Sequence, residues 1–249
     1  MASDYLFGIN AVNETLNAAT PSVREILISD QAQHGRLQAL ADDARRRGVT
    51  VSFRPARELD RLAQGQRHQG VVALVESYIY LEFANLLRQL ASGATSDAIL
   101  VLDGIVDPRN FGALLRTAEA AGVKHVVIPK DRSVDVTPLV VKASAGAAHH
   151  LNVYKVTNLR RALQELKQLG YWTVGLAVDA KETLYERVFP EKLVILLGSE
   201  ATGVRPINLR ECDFLLSIPM LGKVESLNVG VAGGVFLFEI VRQRRIAKR

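Results

Sequence analysis

A single cysteine, Cys212, stands among 249 residues, so an internal disulfide framework is excluded and the usage suits a reducing compartment. Cys212 is expected in the core. No apolar run reaches the ~18 residues of a membrane span, and the N-terminus, Met1-Ala-Ser-Asp-Tyr-Leu-Phe-Gly8, lacks a basic region followed by a long apolar stretch. A soluble, cytoplasmic protein without a membrane partner is therefore expected. There is no low-complexity tract and no internal repeat. Several chemical signatures are missing as well. No strand-like run leads into a Gly-x-Gly-x-x-Gly turn or a Gly-x4-Gly-Lys-Ser/Thr loop, which argues against dinucleotide oxidoreductases and phosphate-loop NTPases. A Gly-x-Ser-x-Gly elbow is absent. His149 and His150 are adjacent and point apart on regular structure, with no Cys or acidic partner at metal-ligand spacing, so no metal site is expected. The pair reads as structural or RNA-facing.

The net charge of +5 is supplied by the last eight residues, which hold Arg242, Arg244, Arg245, Lys248 and Arg249 and no acidic residue. The remainder balances, so any phosphate-binding surface must arise by local clustering. Of the 31 basic residues, 22 are arginine, which suits bidentate phosphate contacts.

The length allows one large domain or two modest ones, and the pattern favours two. Residues 1–75 alternate compactly: helix near Asn10 to Ala18, strand Val23 to Ile28, helix Gly35 to Arg47, strand Val49 to Phe53, helix Ala56 to Ala63, strand Gly70 to Val75. This predicts a small α/β domain. Residues 76–97 read as a connection, an amphipathic helix within Tyr78 to Leu90 and then the turn-rich Ser92-Gly-Ala-Thr-Ser-Asp97. From 98 to 249, apolar strand-length runs recur at Ile99 to Leu102, Val126 to Ile128, Trp172 to Val178, Leu193 to Leu197 and Phe214 to Ile218, with helical patterns between most of them. Such runs predict a parallel sheet covered on both faces, with ligand-binding loops at the strands' carboxyl ends.

Three of those loops carry unusual chemistry. In the first, Asp107-Pro108 ends a strand, Asn110 can cap a helix beginning near Phe111, and Arg116 lies six positions later. Taken alone, the two are an ordinary cap and a surface charge; functionally, they offer an amide to orient an oxygen and a guanidinium to hold a phosphate. In the second, Leu193-Val-Ile-Leu-Leu197 runs straight into Gly198-Ser-Glu200. Gly198 would let a ligand approach the backbone, and Glu200 is either a site carboxylate or an acid favoured by a helix dipole. In the third, Phe214-Leu-Leu-Ser-Ile-Pro-Met220 leads to Glu225-Ser226-Leu227-Asn228 and a nearly uncharged helix running from Leu227 to Arg242. Ser226 is a helix cap or one wall of a dry pocket. The helix, apolar all round with small residues at 230 and 232 to 234, is expected to be buried in the core or against a second subunit, its glycines serving close packing.

At these loops the sequence resembles the SpoU, or TrmH-like, family of RNA ribose 2'-O-methyltransferases. The resemblance covers roughly Ile99 to Arg244: Asp107-Pro-Arg-Asn110-Phe-Gly-Ala-Leu-Leu-Arg116-Thr-Ala, then Leu197-Gly198-Ser-Glu200-Ala-Thr-Gly203, then Ile218-Pro-Met-x-Gly222 with Ser226-Leu-Asn228-Val, in the family's order and spacing. Pro129-Lys-Asp-Arg-Ser133 and Lys142-Ala-Ser-Ala-Gly-Ala-Ala148 are similar too. Phe7-Gly-Ile-Asn-Ala-Val12 and His68-Gln-Gly-Val-Val72 resemble the ribosomal-protein L30-like RNA-binding module of the enzymes that methylate guanosine in 23S rRNA. The resemblance implies a parallel-sheet trefoil-knot (SPOUT) α/β domain behind a small RNA-binding domain, S-adenosylmethionine as methyl donor, 23S rRNA rather than DNA as partner, and a homodimer. It implies cofactor contacts from Leu197, Gly198, Ile218, Pro219, Met220 and Leu227, and a catalytic set of Asn110, Arg116, Glu200, Ser226 and Asn228. A tRNA substrate or a non-catalytic assembly role are the alternatives. Three residues depart from the family pattern: Gly230 where serine is usual, Glu225 where a smaller residue is common, and His149 where Glu is frequent.

Overall fold

The computed structural model describes residues 3–17, 23–31, 35–65, 67–76, 78–93, 98–200 and 202–247. The chain divides into two compact units, Met1–Ile79 with Val136–His149, and Tyr80–Asp135 with His150–Arg249.

In the first unit, β1 (Ser3–Phe7), α1 (Ile9–Asn17), β2 (Val23–Ser29), α2 (Gly35–Arg46), β3 (Thr50–Arg54), α3 (Ala56–Ala63) and β4 (Val71–Glu76) follow in sequence. The strands form one sheet in the order β1-β4-β2-β3, parallel only between β2 and β3. Period-two alternation divides its side chains. Ile26, Ile28, Val71, Ala73 and Val75 share a core with Leu37, Leu40, Ala41 and Ala44 of α2, while Leu27 and Val72 meet Leu59 of α3. The short helix α6 (Pro138–Ala143), with Pro138 in its first turn and Thr137 capping it, joins this unit from later in the chain. His149 is half-buried there, its ring 6.2 Å from that of Tyr78.

The second unit contains α4 (Phe83–Ala91), β5 (Ala98–Asp103), α5 (Pro108–Ala120), β6 (His125–Pro129), β7 (Asn152–Val156), α7 (Leu159–Gln168), β8 (Trp172–Leu176), β9 (Glu182–Thr183), β10 (Leu193–Gly198), α8 (Pro206–Leu209), β11 (Phe214–Ser217) and α9 (Val229–Ala247). Its sheet runs β7-β6-β5-β10-β8-β11-β9, and every pairing is parallel. Strands β5 and β6 are buried at every position, as a sheet covered on both faces requires. On one face, Leu86 and Leu90 of α4 and Leu163 and Leu166 of α7 pack on Ile99, Val101, Val194 and Leu196. On the other, α9 lies against α5 and β10; a methyl group at Gly233 would come within 2.4 Å of Leu114 and 2.9 Å of Leu197. That glycine therefore serves close packing, as expected.

Several expectations are corrected. Strands β1, β7 and β9 had no counterpart in the apolar pattern, and α4 begins at Phe83 because Leu81 is bridged to Tyr154, which keeps the preceding residues extended. Helix α9 begins at Val229, and the chain's own core does not cover it all round: Val231 and Phe238, two turns apart, are 53% and 49% exposed, which leaves burial against a second subunit as the other expectation. Cys212 is partly buried against the α7 side of the core, and burial pushes its thiol up to about 12. Ala18 and residues 77 and 94–97 of the expected connection lie outside the described residues.

Candidate active site

The site grows from the carboxyl ends of three adjacent strands, β10, β8 and β11. Order in the sheet reverses beside them, since the chain leaves β5 towards β6 and β7 and returns on the other side to form β8 and β10, and ligands bind open parallel sheets at such reversals.

Helix α5 begins earlier than its apolar pattern indicated. Asp107, followed by Pro108 at the first helical position, is the cap: its carboxylate accepts from Arg109 N at 2.9 Å and Asn110 N at 2.8 Å. Asn110 is thereby released from capping. Its Oδ1 accepts a hydrogen bond at 3.0 Å from Nδ2 of Asn228, whose amide also donates to Oε1 of Glu200. The Val229 backbone N–H points at the same Glu200 oxygen, 3.3 Å away.

Asn228, rather than Ser226, caps α9. Its Oδ1 accepts from Gly230 N at 3.0 Å and Val231 N at 3.3 Å, and its carbonyl accepts from Ala232 N. Capping consumes the amide oxygen and turns the NH2 group outward, which is why Nδ2 can bridge Asn110 and Glu200. Gly230 keeps that arrangement uncrowded, because a Cβ there would sit 3.1 Å from the capping oxygen and 3.3 Å from Ala113.

Gly198 is obligatory for a reason other than ligand approach. A Cβ on it would lie 2.0 Å from both the Gly203 carbonyl carbon and the Val204 nitrogen, so what crosses it closely is the chain's own loop. That loop is closed by paired backbone bonds between Ser199 and Gly203, and Gly203 takes φ +64°.

Beside this set lies a cavity of about 420 Å³. Leu176, Leu197, Leu216, Ile218 and Leu227 give it an apolar wall, and Asp179, Glu200 and Glu225 supply carboxylates. Of the residues singled out in the sequence, Leu197, Gly198, Glu200, Ile218, Met220, Ser226 and Leu227 line it; Pro219, Asn110 and Asn228 do not, although the two asparagines reach it through Glu200. Ser226 and Glu200 are exposed, so the expected dry pocket is half-open. Arg116 is exposed on α5, and its side chain makes no hydrogen bond or ion pair among the described residues. Ala177, Val178 and Asp179, beyond β8, also line the cavity and were not anticipated. The run Trp172 to Val178 was visible as a strand, but its neighbours in the sheet were not. Among the described residues, no three His, Cys, Asp or Glu side chains gather as a metal site, and no helix is long and apolar enough to cross a membrane.

An all-parallel sheet with a cavity at the carboxyl ends of β10, β8 and β11, reached through Glu200 by the two asparagines, defines a ligand-binding α/β protein, and the comparisons specify it. The SpoU rRNA methylase family profile matches residues 97–238, and the profile for the substrate-binding domain of RNA 2'-O ribose methyltransferases matches residues 5–81. The chain belongs to the SpoU rRNA methylase family. It is 43% identical over 243 residues to the 23S rRNA (guanosine-2'-O-)-methyltransferase RlmB of Pasteurella multocida, covering 97% of this chain and 99% of that protein. Its identity to the enzyme of the same name from Coxiella burnetii is 42%, covering 96% and 95%. In fold it is similar to the SpoU methyltransferase AviRb from Streptomyces viridochromogenes in complex with AdoMet, with TM-score 0.72 at 22% identity over 98% of this chain and 91% of that one.

Proposed function

We propose that this chain is an enzyme that methylates the ribose 2'-hydroxyl of a guanosine in 23S rRNA, with S-adenosylmethionine as donor. The observation that carries the reading is the set Asn110–Asn228–Glu200, one member of which lines the cavity, in a chain 43% identical to enzymes named for that reaction.

The cavity suits the donor chemically. Its volume of about 420 Å³ falls in the range of small-ligand sites, its apolar wall suits a flat heterocycle, and Asp179 and Glu225 offer acceptors for hydroxyl or ammonium groups. Leu197, Gly198, Ile218, Met220 and Leu227, which line it, are the residues proposed to hold it. When bound, the donor supplies an electrophilic methyl on a sulfonium. The chain's own work is positioning. A ribose hydroxyl is a weak nucleophile at neutral pH, and holding it in line with the methyl can supply much of the rate. Arg116, exposed and unpaired among the described residues, is proposed to hold the phosphate beside the target ribose. Asn110 and Asn228, oriented by the α9 cap, and Glu200 and Ser226 would fix the ribose and the donor's polar end by hydrogen bonding.

The organisation is proposed as an RNA-binding domain at 1–75, a connection at 76–97 whose helix α4 packs into the second unit, and a trefoil-knot catalytic domain at 98–249 that lends 136–149 to the first unit, acting in the cytoplasm as a homodimer. The exposed Val231 and Phe238 of α9 support a second copy, because apolar side chains two turns apart on one helix face are left for a partner to cover.

The test is transfer of label from S-adenosylmethionine to unmethylated 23S rRNA and, separately, to tRNA. Label in 23S rRNA alone is expected. Label only in tRNA would replace the substrate, and tight RNA binding without label in either would make the chain a non-catalytic assembly factor.

A further inference from the structure

Asp103, the last residue of β5, has no role in the chemistry described above. Its side chain is 0% exposed, and among the described residues its hydrogen bonds and ion pair all run to the segment after β10. Oδ2 accepts from the Arg205 backbone N–H at 2.9 Å and from Asn208 Nδ2 at 2.8 Å. Oδ1 accepts from Arg205 Nε at 2.7 Å and faces the same guanidinium's terminal nitrogen at 2.6 Å. Asn208 is itself only 1% exposed. A carboxylate buried this completely is costly unless each lone pair is met, and here they are met by charge-assisted donors.

The segment it grips is a wall of the cavity. Val204 and Leu209, on either side of Arg205 and Asn208, line it, as do Ser199, Glu200, Thr202 and Gly203 just upstream. Asp103 is also the register partner of Gly198, over which that loop crosses. One buried anion thus ties the strand leading to Asn110 to the loop carrying Glu200. We propose that Asp103 is a positioning residue for the methyl donor: through Arg205 and Asn208 it holds the 199–209 wall in place and so sets donor affinity without touching the donor. The proposal rests on the reading of the cavity as the donor site.

The experiment is titration calorimetry with S-adenosylmethionine on the full-length protein, alongside thermal unfolding. Asp103→Asn keeps the shape but turns an NH2 group towards the Arg205 N–H and the Asn208 amide, setting donor against donor. Affinity should fall at least tenfold in protein that remains folded at the assay temperature. In the double variant Asp103→Asn/Asn208→Asp the new amide donates to a carboxylate and the charge beside Arg205 returns, while the Arg205 N–H still faces the NH2 group, so affinity should recover in part, at least threefold above the single variant. Asn208→Ala, which removes one bond, should weaken binding by an intermediate factor and serves if the first variant does not fold. Wild-type protein that fails to bind the donor would overturn the cavity assignment itself. Normal wild-type binding with equal affinity in Asp103→Asn and Asn208→Ala, whatever their melting temperatures, would show that Asp103 is structural only and overturn this proposal, as would a double variant no better than the single.

Discussion

Replacing Gly198 by alanine strikes the point where β10 ends and the cavity loop crosses it. The added Cβ would lie 2.0 Å from the Gly203 carbonyl carbon and the Val204 nitrogen. Non-bonded carbons settle at ~3.5 Å or more, so the loop must retreat by roughly 1.5 Å, and backbone cannot swing aside as a side-chain end can. That retreat breaks the paired Ser199–Gly203 backbone bonds, at 3.1 and 2.8 Å. Two such bonds contribute about 2 kcal/mol together, and residual strain adds about 1–2 kcal/mol. The expected loss of about 3–4 kcal/mol leaves a domain of ordinary stability folded. Because Ser199, Glu200, Thr202, Gly203 and Val204 all line the cavity, donor affinity should fall at least tenfold. Urea unfolding and calorimetric titration measure the two effects. Gly222→Ala is the internal control, since a Cβ at Gly222 meets nothing within 4 Å and should change stability by no more than ~0.5 kcal/mol. Unchanged unfolding midpoint and donor affinity in Gly198→Ala would refute the crossing.

Other outcomes follow from the same geometry. Arg116→Ala should abolish methyl transfer while leaving donor affinity within twofold, because the guanidinium lines no part of the cavity; retained turnover would remove it from the mechanism. Asn228→Ala should cost about 1 kcal/mol of stability as a lost cap and reduce turnover more than tenfold by freeing Glu200, read from urea midpoints and single-turnover rates. Burial, and secondarily the charge of Lys124, holds the His125 imidazole below its ordinary 6.5. The unfolded chain therefore takes up a proton that the folded chain refuses. The His125 contribution should be constant well above pH 6.5 and fall below it by up to ~1.4 kcal/mol per pH unit, a slope that His125→Gln should reduce in urea titrations between pH 7.5 and 5.

Much of this was readable in the chain, for identifiable reasons. The uninterrupted runs Ile99 to Leu102 and Leu193 to Leu197 announce the buried parallel strands β5 and β10, because only a sheet covered on both faces tolerates them. Strand β7 escaped because Asn152 and Lys155 break its run, and β1 because it opens on Ser3-Asp4. The cap of α5 was legible and misassigned: Asp before Pro at the first helical position is a stronger signal than Asn two residues later. By contrast, the choice between Ser226 and Asn228 as the α9 cap depended on where the helix starts, which either residue could have marked. The cavity contribution of Ala177 to Asp179 could not be read locally at all. It depends on β8 lying between β10 and β11, a matter of sheet order rather than of pattern.

The central claim is chemical, and one measurement addresses it: nucleoside mass spectrometry of unmethylated 23S rRNA after incubation with the protein and S-adenosylmethionine. The account predicts a single new product, 2'-O-methylguanosine, absent when Arg116→Ala protein is used. A methyl group on a base, on the ribose of another nucleoside, or nowhere in the RNA would contradict it.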